Sequence, residues 1–62
     1  MHPMIEAMEK LNTDDIISVI EQTWNMPEGI IIRDVAFYVI ENREGEEVSD
    51  IIYKNIWDKF QN

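Results

Sequence analysis

The stretch "IIIRDVAFYVI", residues 30–40, decides the fold of this 62-residue chain, because its composition and its spacing favour different structures. Eight of its eleven residues are β-branched or aromatic, which is typical of a β-strand. At about 100° per residue, however, its apolar side chains form one continuous helical face with charged residues opposite. That face consists of Ile31, Ile32, Val35, Tyr38 and Val39. The spacing therefore predicts a helix over residues 30–43.

The strand interpretation requires a partner strand, and the sequence supplies a poor one. Gly45 could turn a hairpin, but only about four residues follow before helical spacing resumes, and an isolated two-stranded ribbon is marginal in water. Neither alternating face of the stretch is free of charge, since Asp34 lies on one and Arg33 on the other. An α+β fold with residues 30–41 as a strand is the alternative expectation.

Two amphipathic helices are predicted before this stretch, over residues 3–11 and 14–25. Both have apolar residues spaced three and four apart. These are Met4, Ile5, Met8 and Leu11 in the first, and Ile16, Ile17, Val19, Ile20 and Trp24 in the second. Pro3 suits the first turn of the first helix, and the hydroxyl of Thr13 is expected to cap the second. Pro27 disfavours helix at the residue before it and should end the second helix.

A last helix is predicted over residues 49–61. Its apolar residues are Ile52, Ile56 and Phe60 in line, flanked by Tyr53 and Trp57. Gly45 is expected to end the preceding helix, Val48 to anchor the connection in the core, and Ser49 to cap the last helix. The predicted fold is all-α: a compact bundle of four short helices forming one domain over residues 1–62.

The segment "RDVAFYVIENREGEEVSDIIYKNIW", residues 33–57, resembles the first two helices of winged-helix domains, notably the N-terminal domain of the bacterial RNA polymerase delta subunit. Apolar spacing and a G-x-x-V-S connection carry the resemblance, which covers about half of the chain. It implies two consecutive helices here. The sequence ends at Asn62, before that family's third recognition helix and wing. We therefore expect the helix pair without the DNA reading.

Charge and hydropathy narrow the class of partner. Thirteen acidic residues against five basic ones give a net charge of −8, which disfavours direct binding to a phosphate backbone. The longest apolar runs fall far short of the roughly 18 residues of a membrane-spanning helix. The N-terminus has neither the basic start nor the apolar stretch of a secretory signal. With no cysteine, the sequence is compatible with the expected cytoplasmic location.

No motif for catalysis, a cofactor or a metal is apparent. The only histidine, His2, is next to the N-terminus, where a general base or metal ligand is poorly held. Two glycines are too few for a phosphate-binding loop, and the spacing of the acidic residues does not match an EF-hand. We therefore expect a non-enzymatic protein with no cofactor and no bound metal.

Two groups of residues are candidates for binding a protein partner. The acidic group is Glu41, Glu44, Glu46, Glu47 and Asp50, which would be either a solvated loop or a docking surface for a basic partner. The apolar group is Ile30 and Phe37, which the helical wheel places near the polar face. Exposed there, they would form a contact site or a homodimer interface. Trp24 and Trp57 are both expected in the core.

Size and charge suggest a small acidic interaction module, of the kind that phages and mobile elements encode to regulate or inhibit a host protein. The alternative is a self-associating structural subunit. A 62-residue chain without disulfides has a small core, and oligomerisation is a common way to stabilise one. The sequence does not identify the partner.

Overall fold

The computed structural model describes residues 2–61, and over this range the chain forms four α-helices and no strand. They are α1 (Pro3–Glu9), α2 (Thr13–Gln22), α3 (Gly29–Glu44) and α4 (Glu46–Gln61). Of the described residues, 82% are helical. The predicted four-helix bundle is therefore confirmed, and the α+β alternative with residues 30–41 as a strand is wrong. No helix of the described residues has the length and apolar character needed to cross a membrane.

Helix α3 is the centre of the bundle, because it packs against each of the other three helices. This position explains why a stretch with strand-like composition is helical, since buried packing outweighs the modest helix penalty of β-branched residues. The buried apolar side chains are Met8, Ile16, Ile20, Trp24, Ala36, Val39, Ile40 and Ile56. Met8 of α1 and Ile16 and Ile20 of α2 were predicted on the apolar faces of these helices. Both helices end earlier than predicted, at Glu9 and Gln22, so Leu11, Trp24 and Pro27 lie outside them.

The inward face of α3 matches the predicted one in part, because Ile32, Val35 and Val39 pack into the core as predicted. Its buried side chains are Ala36, Val39 and Ile40. Ile31 and Tyr38, which were predicted on the core face, are 60% and 55% exposed. The physical reason is that three neighbouring helices together set the buried face of α3. Its apolar residues extend around more of the helix than those neighbours cover.

The N-cap residue of α2 also differs from the predicted one. Asn12, rather than Thr13, caps the helix, and its side-chain oxygen accepts a hydrogen bond of 2.8 Å from the backbone N–H of Asp15. Thr13 is the first helical residue, and its hydroxyl donates to the carboxylate of Glu44 over 2.9 Å. The hydroxyl that was predicted to cap α2 therefore ties this helix to the end of α3.

The connection from α3 to α4 is the single residue Gly45, which ends α3 as predicted. Its φ of 95° and ψ of 162° lie in a region that glycine alone adopts readily. Helix α4 begins directly afterwards at Glu46, so Ser49 is a buried residue within the helix and not its cap. Val48 is exposed and does not anchor the connection in the core. Because the connection is one residue long, there is no loop from which Ser49 could cap α4 or Val48 could pack into the core.

Arg43 joins α1 to α3 in a way that the sequence analysis did not anticipate. Its guanidinium donates hydrogen bonds to the backbone carbonyls of Met8, Glu9 and Leu11, at 3.4, 2.7 and 2.6 Å. Carbonyls at the C-terminal end of a helix lack partners within the helix and favour a positive charge. Arg43 supplies both the donors and the charge.

We expect Arg43→Gln to lower the free energy of unfolding by about 1–2 kcal/mol, because these charge-assisted hydrogen bonds are lost from an exposed site. Urea denaturation followed by circular dichroism measures the change. Arg43→Lys should have a free energy of unfolding between those of wild type and Arg43→Gln, because lysine keeps the positive charge but lacks the paired N–H donors of the guanidinium. The control is Lys54→Gln, which removes an exposed positive charge from α4. Equal losses in the Arg43 and Lys54 variants would mean that net charge alone matters.

Candidate functional site

An open groove of about 630 Å³ lies between α3 and α4. Its volume is within the range of ligand-binding sites, but unlike an enclosed cavity it opens to solvent. The lining residues are Ile30, Arg33, Asp34, Phe37, Tyr38, Glu41, Ser49, Asp50, Tyr53 and Trp57. Both walls are therefore helical, and the one-residue connection at Gly45 holds them together.

Helical spacing brings these residues to one side of each helix. On α3, Ile30, Phe37 and Glu41 recur at intervals of seven and four residues, beside the buried face. On α4, Tyr53 and Trp57 are four residues apart and flank the buried Ile56. The groove thus follows directly from the packing of α3 against α4.

A row of aromatic rings forms the floor of the groove. Phe37 and Tyr53 meet nearly edge to face, with ring centroids 5.2 Å apart. Tyr53 and Trp57 are stacked, with centroids 6.1 Å apart and an interplanar angle of 11°. Trp57 also meets Trp24 edge to face at 5.9 Å. The row is fixed against the core, yet Tyr53 and Trp57 each remain 43% exposed.

The exposure of Trp57 corrects a prediction. Trp24 is only 9% exposed, as expected, but Trp57 lies in the groove and not in the core. Phe37 was expected to be exposed, and it is instead half-buried against the core and Tyr53. Helix α4 lies at the edge of the bundle, where a narrow stripe centred on Ile56 is enough to pack it. The rings that flank this stripe remain partly open.

The charges of the groove are unbalanced. Three carboxylates line it, those of Asp34, Glu41 and Asp50, against the one guanidinium of Arg33. The central carbon of that guanidinium lies 4.2 Å from the centroid of the Trp24 ring, a cation–π contact. Within residues 2–61 the one salt bridge joins Lys59 to Glu21, outside this groove. The three carboxylates therefore have no ion-pair partner in the described chain.

The sequence-predicted site residues separate into two sets. Four line the groove: Ile30, Phe37, Glu41 and Asp50. The other three do not. Glu44 accepts the hydrogen bond from Thr13, while Glu46 and Glu47 are exposed in the first turn of α4, where negative charge favours the helix terminus. The structure thus brings part of the acidic group and the apolar group to one surface.

Six other residues that line the groove were not predicted as binding residues. These are Arg33, Asp34, Tyr38, Ser49, Tyr53 and Trp57. A signal was present for the two aromatic residues of α4, since Tyr53 and Trp57 flank the stripe of Ile52, Ile56 and Phe60 on the same side. The sequence does not show whether such a flank faces a neighbouring helix or solvent.

The other features of the surface are weaker candidates for a binding site. A smaller groove of about 210 Å³ lies between α2 and α4, with both partners of the Lys59–Glu21 salt bridge among its lining residues. His2 is used in capping α1, because its Nδ1 accepts the N–H of Met4 over 3.1 Å. Across residues 2–61, no group of three carboxylate or histidine side chains converges closely enough to hold a metal ion.

Comparisons with protein families, with curated proteins and with solved structures found no match to this chain. The interpretation of the groove between α3 and α4 therefore depends on its own geometry and charge.

Proposed function

We propose that this protein is a small acidic binding module, and that the groove between α3 and α4 is where it contacts a protein partner. The observation that carries the proposal is the half-open pair of Tyr53 and Trp57, each 43% exposed. Aromatic side chains on rigid elements are the usual anchors of protein interfaces. A chain of 62 residues has few aromatic residues, and three of them, Tyr38, Tyr53 and Trp57, are about half exposed in this groove.

A non-enzymatic role fits the groove better than catalysis. Enzyme sites commonly exclude water from the reacting groups, and this groove is open to solvent. Its lining contains no histidine, cysteine or lysine, so only carboxylates and the phenol groups of Tyr38 and Tyr53 are available as a general base.

The acidic residues outside the groove have a supporting role in this proposal. Glu46 and Glu47 are exposed near Gly45 and extend the negative potential beyond the groove. Such potential speeds the association of a positive surface without adding contacts. We further propose that the module regulates or inhibits its partner in the cytoplasm, as small acidic proteins of phages and mobile elements do. Small size, net charge and the lack of cysteine support this part.

The test is a selection of phage-displayed random peptides on the immobilised protein. We expect ligands whose affinity falls about 30-fold with Trp57→Ala, equivalent to about 2 kcal/mol for an interface anchor. Isothermal titration calorimetry with the synthetic peptides measures this loss. Ile51→Ala is the matched control, because Ile51 is exposed on the same helix outside the groove. Circular dichroism establishes that both variants keep their helices.

Light scattering at several concentrations tests the competing role. A binding module should remain monomeric over the concentrations used for titration. A dimer that forms with rising concentration and disappears in Trp57→Ala would favour a self-associating structural subunit instead. Ligands that bind wild type and Trp57→Ala equally well would place the interface elsewhere.

A further inference from the structure

We propose that the occupant of the groove is an amphipathic α-helix of a partner protein, with lysine or arginine residues on both sides of its apolar stripe. This inference rests on the proposed function and adds the chemistry of the partner. It follows from three properties of the groove: its walls, its length and its charge.

The walls require a ligand that satisfies its own backbone. Residues of α3 and α4 line the whole groove, and backbone groups within a helix are hydrogen-bonded inside it. An extended peptide would therefore find no sheet edge here with which to pair its backbone. A helix carries its backbone hydrogen bonds with it, as in other helix-in-groove complexes.

The length of the groove matches a short helix. Its lining residues run from Ile30 to Glu41 on α3 and from Ser49 to Trp57 on α4. At 1.5 Å per residue these spans are about 16 and 12 Å, so about three helical turns would cover the floor. The apolar stripe of such a helix would pack on Phe37, Tyr53 and Trp57.

The charges of the groove indicate which residues the partner helix carries on either side of its apolar stripe. Asp34 and Glu41 lie on the α3 wall and Asp50 lies on the α4 wall, so both sides of the aromatic floor carry carboxylates. The positive charge of Arg33 is already placed over Trp24. Lysine or arginine on each side of the apolar stripe of the partner would pair with these carboxylates and could also contact the open ring faces.

A second copy of this chain does not meet these requirements. Two facing grooves would bring the same three carboxylates together, and each copy carries a net charge of −8. Like charges across an interface oppose association. The complementary partner is therefore a basic helix from another protein.

The peptide selection described above tests this inference by the composition of its ligands. We expect enriched peptides with a net positive charge and apolar residues spaced three and four apart, which become helical on binding as measured by circular dichroism. The combined variant Asp34→Asn, Glu41→Gln and Asp50→Asn should weaken binding about tenfold, because three exposed ion pairs, each weak on its own, are lost together. Its affinity should also depend less on salt than that of wild type.

The matched control removes three negative charges elsewhere, with Glu9→Gln, Glu28→Gln and Asp58→Asn. These carboxylates are exposed and line neither groove. We expect a loss of less than about twofold, because these carboxylates do not line the groove and so would not pair directly with a bound cation. Equal losses in the two triple variants would overturn the pairing of ligand cations with the groove.

The two proposals fail in different ways. Acidic, neutral or proline-rich ligands that still depend on Trp57 would overturn the basic helix and leave the binding groove intact. Ligands insensitive to Trp57→Ala, or a selection that yields no ligand, would overturn both proposals.

Discussion

Replacing Trp24 with Ala is expected to lower the free energy of unfolding by about 3–5 kcal/mol. The indole is 9% exposed and stacks on Phe60 with ring centroids 5.3 Å apart, and the guanidinium carbon of Arg33 lies 4.2 Å from the centroid of the Trp24 ring. A domain of this size has only about 3–5 kcal/mol of core stabilisation in total. Trp24→Ala should therefore be largely unfolded at 25 °C, as circular dichroism would show.

The matched comparison is Trp57→Ala, which removes the same side chain from a half-open site. Because Trp57 is 43% exposed, we expect a loss of only about 1–2 kcal/mol, in proportion to the smaller apolar area buried. Trp24→Phe should lose less stability than Trp24→Ala and more than Trp57→Ala, since phenylalanine keeps an aromatic ring beside Phe60. Equal losses for the two alanine variants would contradict the positions of both tryptophans.

The spacing of apolar residues predicted four helices correctly, because a helix that packs against its neighbours buries side chains three and four positions apart along one face. In residues 30–40 the spacing of Val35 and Val39 outweighed a composition that favours strands, since α3 has neighbours on several sides. The same property made the exact face unpredictable. Apolar residues surround most of α3, and only the positions of α1, α2 and α4 determine that Ala36 and Ile40 are inside while Ile31 is outside.

Local rules were less reliable where two residues compete for one role. Asn12 and Thr13 can both cap a helix, and the tertiary hydrogen bond from Thr13 to Glu44 settles which one does. Ser49 has the chemistry of a cap, but the backbone of Gly45 reverses the chain at once and the helix starts earlier. Neither outcome is determined by neighbouring residues in the sequence.

The candidate site was predictable only in part for a related reason. Charge and composition indicated Glu41 and Asp50, which do line the groove. Tyr53 and Trp57 were indistinguishable from core residues, because an aromatic ring beside a buried stripe is covered or open depending on the next helix. Position at the edge of the bundle is a tertiary property.

Gly29→Ala is expected to destabilise the protein by about 3 kcal/mol, the upper end of the usual range for overpacked sites. A Cβ atom at Gly29 would lie 2.1 Å from the backbone oxygen of Thr23 and 3.4 Å from that of Trp24. Backbone atoms cannot rotate away as a side chain does, so the segment between α2 and α3 must shift. Thermal and urea denaturation measure the loss.

The sign of this change is diagnostic, because helix propensity alone predicts the opposite result. Gly29 is the first residue of α3, and alanine in an open helical position is up to about 1 kcal/mol more favourable than glycine. Gly45 provides the contrast, since a Cβ there would meet no atom within 4 Å but its φ is 95°. Gly45→Ala should cost about 1–3 kcal/mol through backbone strain, and a chemically synthesised chain with D-alanine at position 45 should recover it. If Gly29→Ala instead raised stability, the segment between α2 and α3 would have to move away from the added Cβ atom at little cost in free energy.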